Sequence, residues 1–201
     1  PEIVSRHQGV AVYAGGDDIL AYLPLHTALE CVDELAEQFA QVMQSFPAKD
    51  NGKTITPTLS AGVLIAHHLE PLSEALALLR STERAAKQVE GKNALAISLL
   101  RRSGVERQVR GPRKALVERL KQMATWWTDG TLSKGTPYEF QELVQSVGNL
   151  LPQGALAAEA KRILGRKRES GGREVSEEVR KTIEEWLTKD YISLAQLAQE
   201  M

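Results

Sequence analysis

The spacing of apolar residues changes repeatedly along the first hundred positions, and each change marks a different kind of element. Short, largely apolar runs predict strands, whereas apolar residues that recur at three- and four-residue steps predict amphipathic helices. Two strand-like runs flank the tetrad Gly15-Gly16-Asp17-Asp18 and predict a β-hairpin. The predicted elements are strands at 10–14 and 19–23, a helix at 27–46, a strand at 59–66, a helix at 71–90 and a strand at 94–100.

After Gly104 the strand-like runs cease and helical spacing takes over. Turns rich in Gly and Pro separate five predicted helices, at 112–128, 136–150, 154–164, 176–188 and 193–200. The order of elements therefore predicts an α+β unit over residues 1–104, with helices on one side of a mixed sheet. An all-α domain is predicted to follow over residues 105–201.

The composition excludes several classes of protein. The 201 residues are 42% apolar and 25% charged, as in ordinary globular proteins, so disorder of the whole chain is excluded. The single cysteine, Cys31, excludes an internal disulfide framework and a cysteine-rich zinc site, and it is interpreted as a packing residue. No uncharged apolar run reaches about 18 residues, so no membrane span is predicted. A cytoplasmic location is expected.

The net charge of −1 conceals a strong asymmetry along the chain. Residues 17–50 contain seven acidic side chains and one basic side chain, Lys49. Residues 101–121 contain eight basic and two acidic side chains. The first stretch is therefore suited to holding cations and the second to meeting polyanions. The alternative is that both stretches are ordinary solvated surface.

The tetrad at the predicted hairpin tip has the composition of a metal site. Adjacent glycines allow positive φ angles and the close approach of another molecule. Carboxylates such as those of Asp17 and Asp18 are the ligands that Mg²⁺ prefers, and two adjacent carboxylates repel each other unless a cation is present. The alternative is a purely structural turn, because Gly and Asp are common in turns for conformational reasons.

Basic residues downstream of the tetrad are placed to hold phosphate groups. Lys87 and Lys92 bracket a glycine turn, so both could reach a polyphosphate held at the hairpin. Arg80, Arg84 and Lys87 share one helical face, a pattern that is also typical of a solvated surface. The small residues of Ser60-Ala61-Gly62 are expected to leave room for a ligand against the sheet.

Several short motifs occur in a fixed order along this part of the chain. They are Tyr13-Ala14-Gly15-Gly16-Asp17-Asp18, Leu59-Ser60-Ala61-Gly62-Val63, His67-His68, Pro71-Leu72, Ala86-Lys87 and Gly91-Lys92-Asn93-Ala94-Leu95. Together they resemble the second palm domain of the large subunit of type III CRISPR effector complexes, Cmr type, over roughly residues 1–104. The helical remainder resembles the C-terminal domain of that subunit. A more distant resemblance is to diguanylate cyclases of the GGDEF class, which share this palm.

The resemblance implies a ferredoxin-like palm, related to nucleotide cyclases, that binds ATP and two divalent ions, Mg²⁺ or Mn²⁺. It implies an antiviral nucleotidyltransferase that joins ATP into cyclic oligoadenylates when the complex holds target RNA. The roles it implies are metal binding and catalysis for Asp17 and Asp18, phosphate neutralisation for Lys87 and Lys92, nucleotide contact for Gly15 and Gly16, and lining of the nucleotide pocket for Ser60.

The resemblance also implies partners. These are other subunits of the effector complex, including the small helical subunit, with crRNA and target RNA nearby and no membrane. The basic segment after the predicted palm is the candidate RNA- or partner-facing surface, and it lacks the interleaved aromatic residues that stack on bases. Its candidate residues are Arg101, Arg102, Arg110, Arg113 and Lys114.

The chain departs from the family pattern at its start. The first strand of the palm, which usually supplies another metal-binding carboxylate, is absent, and residues 1–7 have the pattern of the end of the first helix. The expectation is therefore a C-terminal fragment of a larger subunit, which by itself makes little or no cyclic oligoadenylate.

Two alternative functions stay open. One is a stand-alone GGDEF-like diguanylate cyclase that uses GTP, against which Asp18 stands in place of the usual Glu and Ile19 in place of the usual Phe. The other is a non-catalytic docking fragment of an RNA-guided complex, in which the acidic residues are structural.

Overall fold

A computed structural model gives the fold of the chain. It describes residues 1–16, 18–50, 53–101, 107–148, 150–166, 175–188 and 192–201. The chain divides into two compact units, Pro1–Val117 and Glu118–Met201. Strands and helices are both present, which confirms the predicted α+β class.

The first unit mixes short strands with helices. Its elements are α1 (Glu2–Arg6), β1 (Val10–Gly15), β2 (Asp18–Tyr22), α2 (Leu25–Met43), β3 (Ala48–Asp50), β4 (Lys53–Ile55), β5 (Ala61–Ile65), α3 (Leu72–Lys87), β6 (Ala94–Leu99) and β7 (Arg107–Pro112). Helix α4 (Arg113–Thr128) begins in this unit and continues into the second.

The described strands of the first unit form three separate sheets. β1 and β2 pair antiparallel with Gly15 opposite Asp18, and the register shifts at a bulge between Ala11 and Tyr13. β3 and β4 form a second small hairpin. β5 pairs parallel with β6, which pairs antiparallel with β7. The first predicted hairpin and the strands predicted on either side of α3 are therefore confirmed.

Close packing of α3 on the sheet depends on small residues. A Cβ atom placed on Gly62 would lie 2.6 Å from the backbone nitrogen of Glu83, so only glycine lets β5 and α3 approach so closely. The predicted room for a ligand at this glycine is therefore wrong, because the helix backbone fills it. Across the same interface the buried Thr82 hydroxyl donates to Ser98 Oγ on β6 at 2.7 Å.

Two features of the sheets differ from the predictions. The sequence predicts no strand after Gly104, yet β7 pairs along the length of β6. Its side chains alternate, with Val109 buried and Arg110 exposed, but Val109 is the one large apolar residue in the strand, so the apolar signal is weak. In addition, β3 and β4 form a small hairpin between α2 and β5, where the sequence predicts no strand.

All the described secondary-structure elements of the second unit are helices. Its elements are the remainder of α4, α5 (Thr136–Val147), α6 (Gln153–Arg166), α7 (Glu177–Thr188) and α8 (Leu194–Glu200), which match the five predicted helices within a few residues. One buried cluster joins them and includes Phe140, Leu164 and Ile183. Among the described residues, no helix combines the length and apolar character that crossing a bilayer requires.

Candidate nucleotide and metal site

The tip of the first hairpin is an exposed, glycine-rich turn. Gly15 and Asp18 face each other as the last pair of the ladder, and Gly16 between them has a φ of +62°, in the left-handed region that favours glycine. Gly15 lies against the Tyr13 phenol, and, apart from Gly16 and its chain neighbours, no described atom lies within 4 Å of where a Cβ on Gly16 would be. The backbone at Gly16 is therefore open to an approaching ligand.

One of the two predicted metal-binding residues, Asp18, lies at this tip. Asp18 is exposed at the first position of β2, while Asp17 lies outside the described residues. Within the described part of the chain, no cluster of three or more His, Cys, Asp or Glu side chains is arranged to hold a metal ion. The predicted two-carboxylate metal site therefore depends on Asp17 and stays a prediction.

The second part of the predicted site is the turn between α3 and β6. Gly91, Lys92 and Asn93 have φ angles of +80°, +54° and +47°, so three successive residues adopt the left-handed conformation. This conformation costs roughly 1–2 kcal/mol for each residue that carries a Cβ. The backbone N–H of Lys92 donates to Val89 O at 3.0 Å, and Lys92 is exposed. The surrounding structure must hold such a turn in place.

Hydrogen bonds anchor the turn just beyond Lys92. Ser60 Oγ accepts from the backbone N–H of Ala94 at 3.3 Å. The backbone N–H of Arg113 donates to Asn93 O at 3.0 Å, and Arg113 Nε donates to Asn93 Oδ1 at 3.2 Å. The structure therefore places Ser60 at the end of the lysine-bearing turn, while its role in lining a nucleotide pocket stays a prediction.

The prediction that Arg113 faces RNA or a partner is wrong. Its side chain is 3% exposed and forms an ion pair with Asp33 of α2, so it faces the interior of the first unit. Burial lowers the pKa of the Arg113 guanidinium, and the Asp33 carboxylate and Asn93 amide oxygen supply the interactions that keep its charge stable. Arg113 thus joins α2, the Gly91–Asn93 turn and the start of α4. Sequence reasoning missed this role.

Some residues of the acidic stretch and of the basic stretch form ion pairs with each other within the first unit. Lys114 Nζ lies 3.2 Å from Glu37 Oε1, one helical turn along α2 from Asp33. Two acids four residues apart on α2 thus pair with two adjacent bases at the start of α4. The opposite charges of the two stretches were the sequence signal that could have predicted these ion pairs. The signal does not identify the individual partners, because they are about 80 positions apart.

The remaining basic candidates occupy different places. Lys87, in the last turn of α3, forms an ion pair with Glu83 one turn earlier. Arg101 is exposed just after β6, and Arg102 lies outside the described residues. Arg110 is exposed on β7, where its Nη1 donates to Gln88 Oε1 at 3.3 Å. The described residues of the predicted basic surface are therefore divided between Arg113, which is buried, and Arg101, Arg110 and Lys114, which are exposed on three different parts of the first unit.

Comparison with known proteins finds relatives for the first part of the chain. Residues 1–96 match the family described as Cas10/Cmr2, second palm domain. The chain is 44% identical over 103 residues to the CRISPR system Cmr subunit Cmr2 of Pyrococcus furiosus, an alignment that covers 50% of the chain and 11% of that protein. It is 36% identical over 84 residues to the Cmr2 subunit of Saccharolobus solfataricus, covering 35% of the chain and 8% of that protein. The alignments thus span about a tenth of these relatives.

Proposed function

Because residues 1–96 match the second palm domain family of Cas10/Cmr2 proteins, we propose that the chain contributes a nucleotide-binding palm to the large subunit of a Cmr-type CRISPR complex. The palm is of the ferredoxin-like kind, and it binds ATP with two divalent ions. Its reaction is the joining of ATP molecules into cyclic oligoadenylates in response to target RNA. Its partners are the other subunits, with crRNA and target RNA nearby.

The hairpin tip is the observation that carries this proposal. Gly15 pairs with Asp18 across a turn at the left-handed Gly16, and a Cβ added to Gly16 would meet no described atom beyond its chain neighbours within 4 Å. Carboxylate ligands suit Mg²⁺ and Mn²⁺, so the donor chemistry of Asp17 and Asp18 fits the ions that the family implies. When bound, the ions supply Lewis acidity to the attacking hydroxyl and neutralise the pyrophosphate that leaves.

Lys87 and Lys92 are proposed to neutralise the charge of the triphosphate. Lys87 ends α3, and Lys92 lies on the left-handed turn that follows it. A lysine ammonium acts as a mobile point charge toward phosphate, so a fixed turn beneath Lys92 limits the volume that its charge explores. The Ser60 and Arg113 hydrogen bonds provide that fixed base.

Titration calorimetry with ATP and Mn²⁺ tests the proposal directly. The chain is expected to bind ATP only with the ion present, and the Asp17→Asn/Asp18→Asn variant is expected to lose that binding. The matched control is Asp129→Asn, which changes an exposed aspartate in a turn of the second unit. Equal affinities for the wild-type chain and the tetrad variant would contradict a metal site and support the docking alternative.

Nucleotide preference separates the two enzymatic readings. The palm proposal expects ATP to bind more tightly than GTP, and expects cyclic oligoadenylate synthesis in a full complex that contains this segment. The isolated polypeptide is expected to make little or none. A strong preference for GTP, with a cyclic dinucleotide as product, would instead favour the diguanylate cyclase alternative.

A further inference from the structure

We propose that α2 sets the direction of the glycine-rich hairpin, and that Thr27 and Glu34 on this helix are positioning residues for the candidate site. The inference rests on the proposed function, because it concerns the side chains that hold the hairpin rather than those that would touch the ligand. Thr27 and Glu34 are seven residues apart in α2, so they lie on one face of the helix. That face contacts the segments that enter and leave the hairpin.

The direction of the hairpin depends on its base. Among the described strands, β1 and β2 pair only with each other, and the side chains of Val10, Val12 and Tyr22 are more than half exposed. A six-residue strand such as β1 is about 20 Å long, so a rotation of about 10° at the base moves the tip by about 3 Å. Displacements of this size disrupt the alignment of groups that must act together on a ligand.

The two ends of the hairpin meet at a tight turn after α1. The backbone N–H groups of Gln8 and Gly9 donate back into α1 at 3.0 and 2.9 Å, and Gln8 has a φ of +61°, which together form a Schellman motif. A Cβ placed on Gly9 would lie 2.5 Å from Leu23 Cδ2 and 2.7 Å from Tyr22 O. The segment that enters β1 therefore packs closely against the segment that leaves β2.

The Thr27 hydroxyl joins these two segments to α2. It donates to His7 O at 2.8 Å, and Pro24 O lies 3.2 Å from the same Oγ1 atom. A hydroxyl has one hydrogen, so the shorter contact with His7 is the principal bond and Pro24 O shares the hydrogen. His7 precedes β1 and Pro24 follows β2, so one side chain fixes both ends of the hairpin.

Glu34 makes a second contact with the entry segment. Its Oε2 atom lies 2.8 Å from His7 Nε2, and its carboxylate also forms an ion pair with Arg6. The His7 side chain is 17% exposed, so this contact is partly shielded from water, which strengthens it. His7 is therefore held to α2 through both its backbone oxygen and its ring.

The other half of the candidate site is attached to the same helix. Asp33, next to Glu34, pairs with Arg113, and Arg113 Nε donates to Asn93 Oδ1 in the lysine-bearing turn. The hairpin and the turn are thus both fixed to α2, through different side chains. Loss of the Thr27 hydroxyl is therefore expected to disturb the hairpin and to leave the turn in place.

Titration calorimetry of the whole chain with ATP and Mn²⁺, combined with amide hydrogen exchange, tests the inference. Thr27→Val keeps the shape of the side chain but removes the hydroxyl, and it is expected to weaken Mn²⁺-dependent ATP binding about fivefold, the equivalent of one net hydrogen bond. Thr27→Ser retains the hydroxyl and is expected to bind as the wild type does. In Thr27→Val, exchange should accelerate at the Gly9 amide and stay unchanged at the Ala94 amide of the lysine-bearing turn.

Control variants separate positioning from a general loss of stability. In α7 of the second unit the Thr182 hydroxyl donates to Glu178 O at 2.9 Å, so Thr182→Val makes the same change away from the site and should bind ATP normally. Glu34→Ala removes the second contact, and adding it to Thr27→Val should weaken binding further.

Two kinds of failure are distinguishable. Normal ATP binding by Thr27→Val, or an equal loss in Thr27→Ser, would overturn the positioning role while the proposed function stands. Absence of ATP binding by the wild-type chain would instead refute the proposed function. Unchanged Gly9 exchange in Thr27→Val would overturn the inference whether or not the chain binds ATP.

Discussion

The two units of the chain differ in how they bury apolar surface. The second unit buries large side chains from all of its helices in one cluster. In the first unit the cluster between α3 and β6 consists of alanines, and large apolar side chains of the hairpin, such as Val10 and Tyr22, are more than 60% exposed. Among the described residues, large fully buried side chains are therefore more numerous in the second unit, whereas the first unit, which buries Val4, Leu95 and Leu116, also has close backbone packing and polar contacts.

The chain supplies a separate probe for each unit. All three tryptophans lie at or beyond position 126, so intrinsic fluorescence reports on the second unit. The single cysteine, Cys31, lies in α2 of the first unit. Mutations can therefore be assigned to one unit by which probe responds.

The largest effect is expected from truncating the core of the second unit. Phe140→Ala removes a fully buried ring and is expected to cost about 3–5 kcal/mol of unfolding free energy, measured by tryptophan fluorescence in urea. The control is Tyr138→Ala, two residues earlier in α5, because that ring is 65% exposed and its loss should cost no more than about 0.5 kcal/mol. Similar losses for both variants would contradict the assigned core.

A smaller but still large effect is expected at the α3–sheet contact of the first unit. Gly62→Ala forces a methyl group against the Glu83 backbone and is expected to destabilise this unit by about 3 kcal/mol. The measurement is the alkylation rate of Cys31 at increasing urea, with tryptophan fluorescence followed in parallel. The control is Gly154→Ala, where nothing lies near the added Cβ and helix propensity favours alanine. A tolerated Gly62→Ala substitution would show that β5 and α3 can separate freely.

Removing the buried tie at Arg113 is expected to have an intermediate effect. Arg113→Met leaves Asp33 and Asn93 without their charged partner and is expected to cost about 2 kcal/mol. Hydrogen exchange at the Lys92 and Ala94 amides should accelerate, because the left-handed turn loses an anchor.

The neighbouring lysine is the control for Arg113. Lys114→Met removes an exposed ion pair with Glu37 and should change stability by no more than about 0.5 kcal/mol, with exchange in the turn unaffected. Unchanged exchange in Arg113→Met would show that the turn does not need this contact.

The comparison of the units also explains what the sequence could predict. The helices of the second unit were predictable because their large apolar residues recur at helical spacing, as in α7 with buried Val179, Ile183 and Trp186. β7 was not, since its pairing with β6 depends on tertiary contacts and on the single large apolar residue Val109.

The candidate site likewise combines a local feature that the sequence predicts with tertiary contacts that it does not. The glycine-rich hairpin tip is a local feature and was predictable from four consecutive residues. The contacts that fix Lys92 were not, because Arg113 reaches Asn93 across 20 positions and Asp33 across 80.

The smallest expected effect concerns the reactivity of Cys31 in the native chain. Burial raises the pKa of its thiol, and the nearby Glu34 carboxylate raises it further, so at neutral pH the reactive thiolate is scarcer than in an exposed cysteine. Iodoacetamide at pH 7.5 should therefore label native Cys31 much more slowly than the same chain in urea, and the labelling rate should keep rising as the pH passes the ordinary thiol pKa. Equal rates in buffer and in urea would mean that α2 opens readily from the first unit. That result would also remove the basis for using Cys31 to separate the stabilities of the two units.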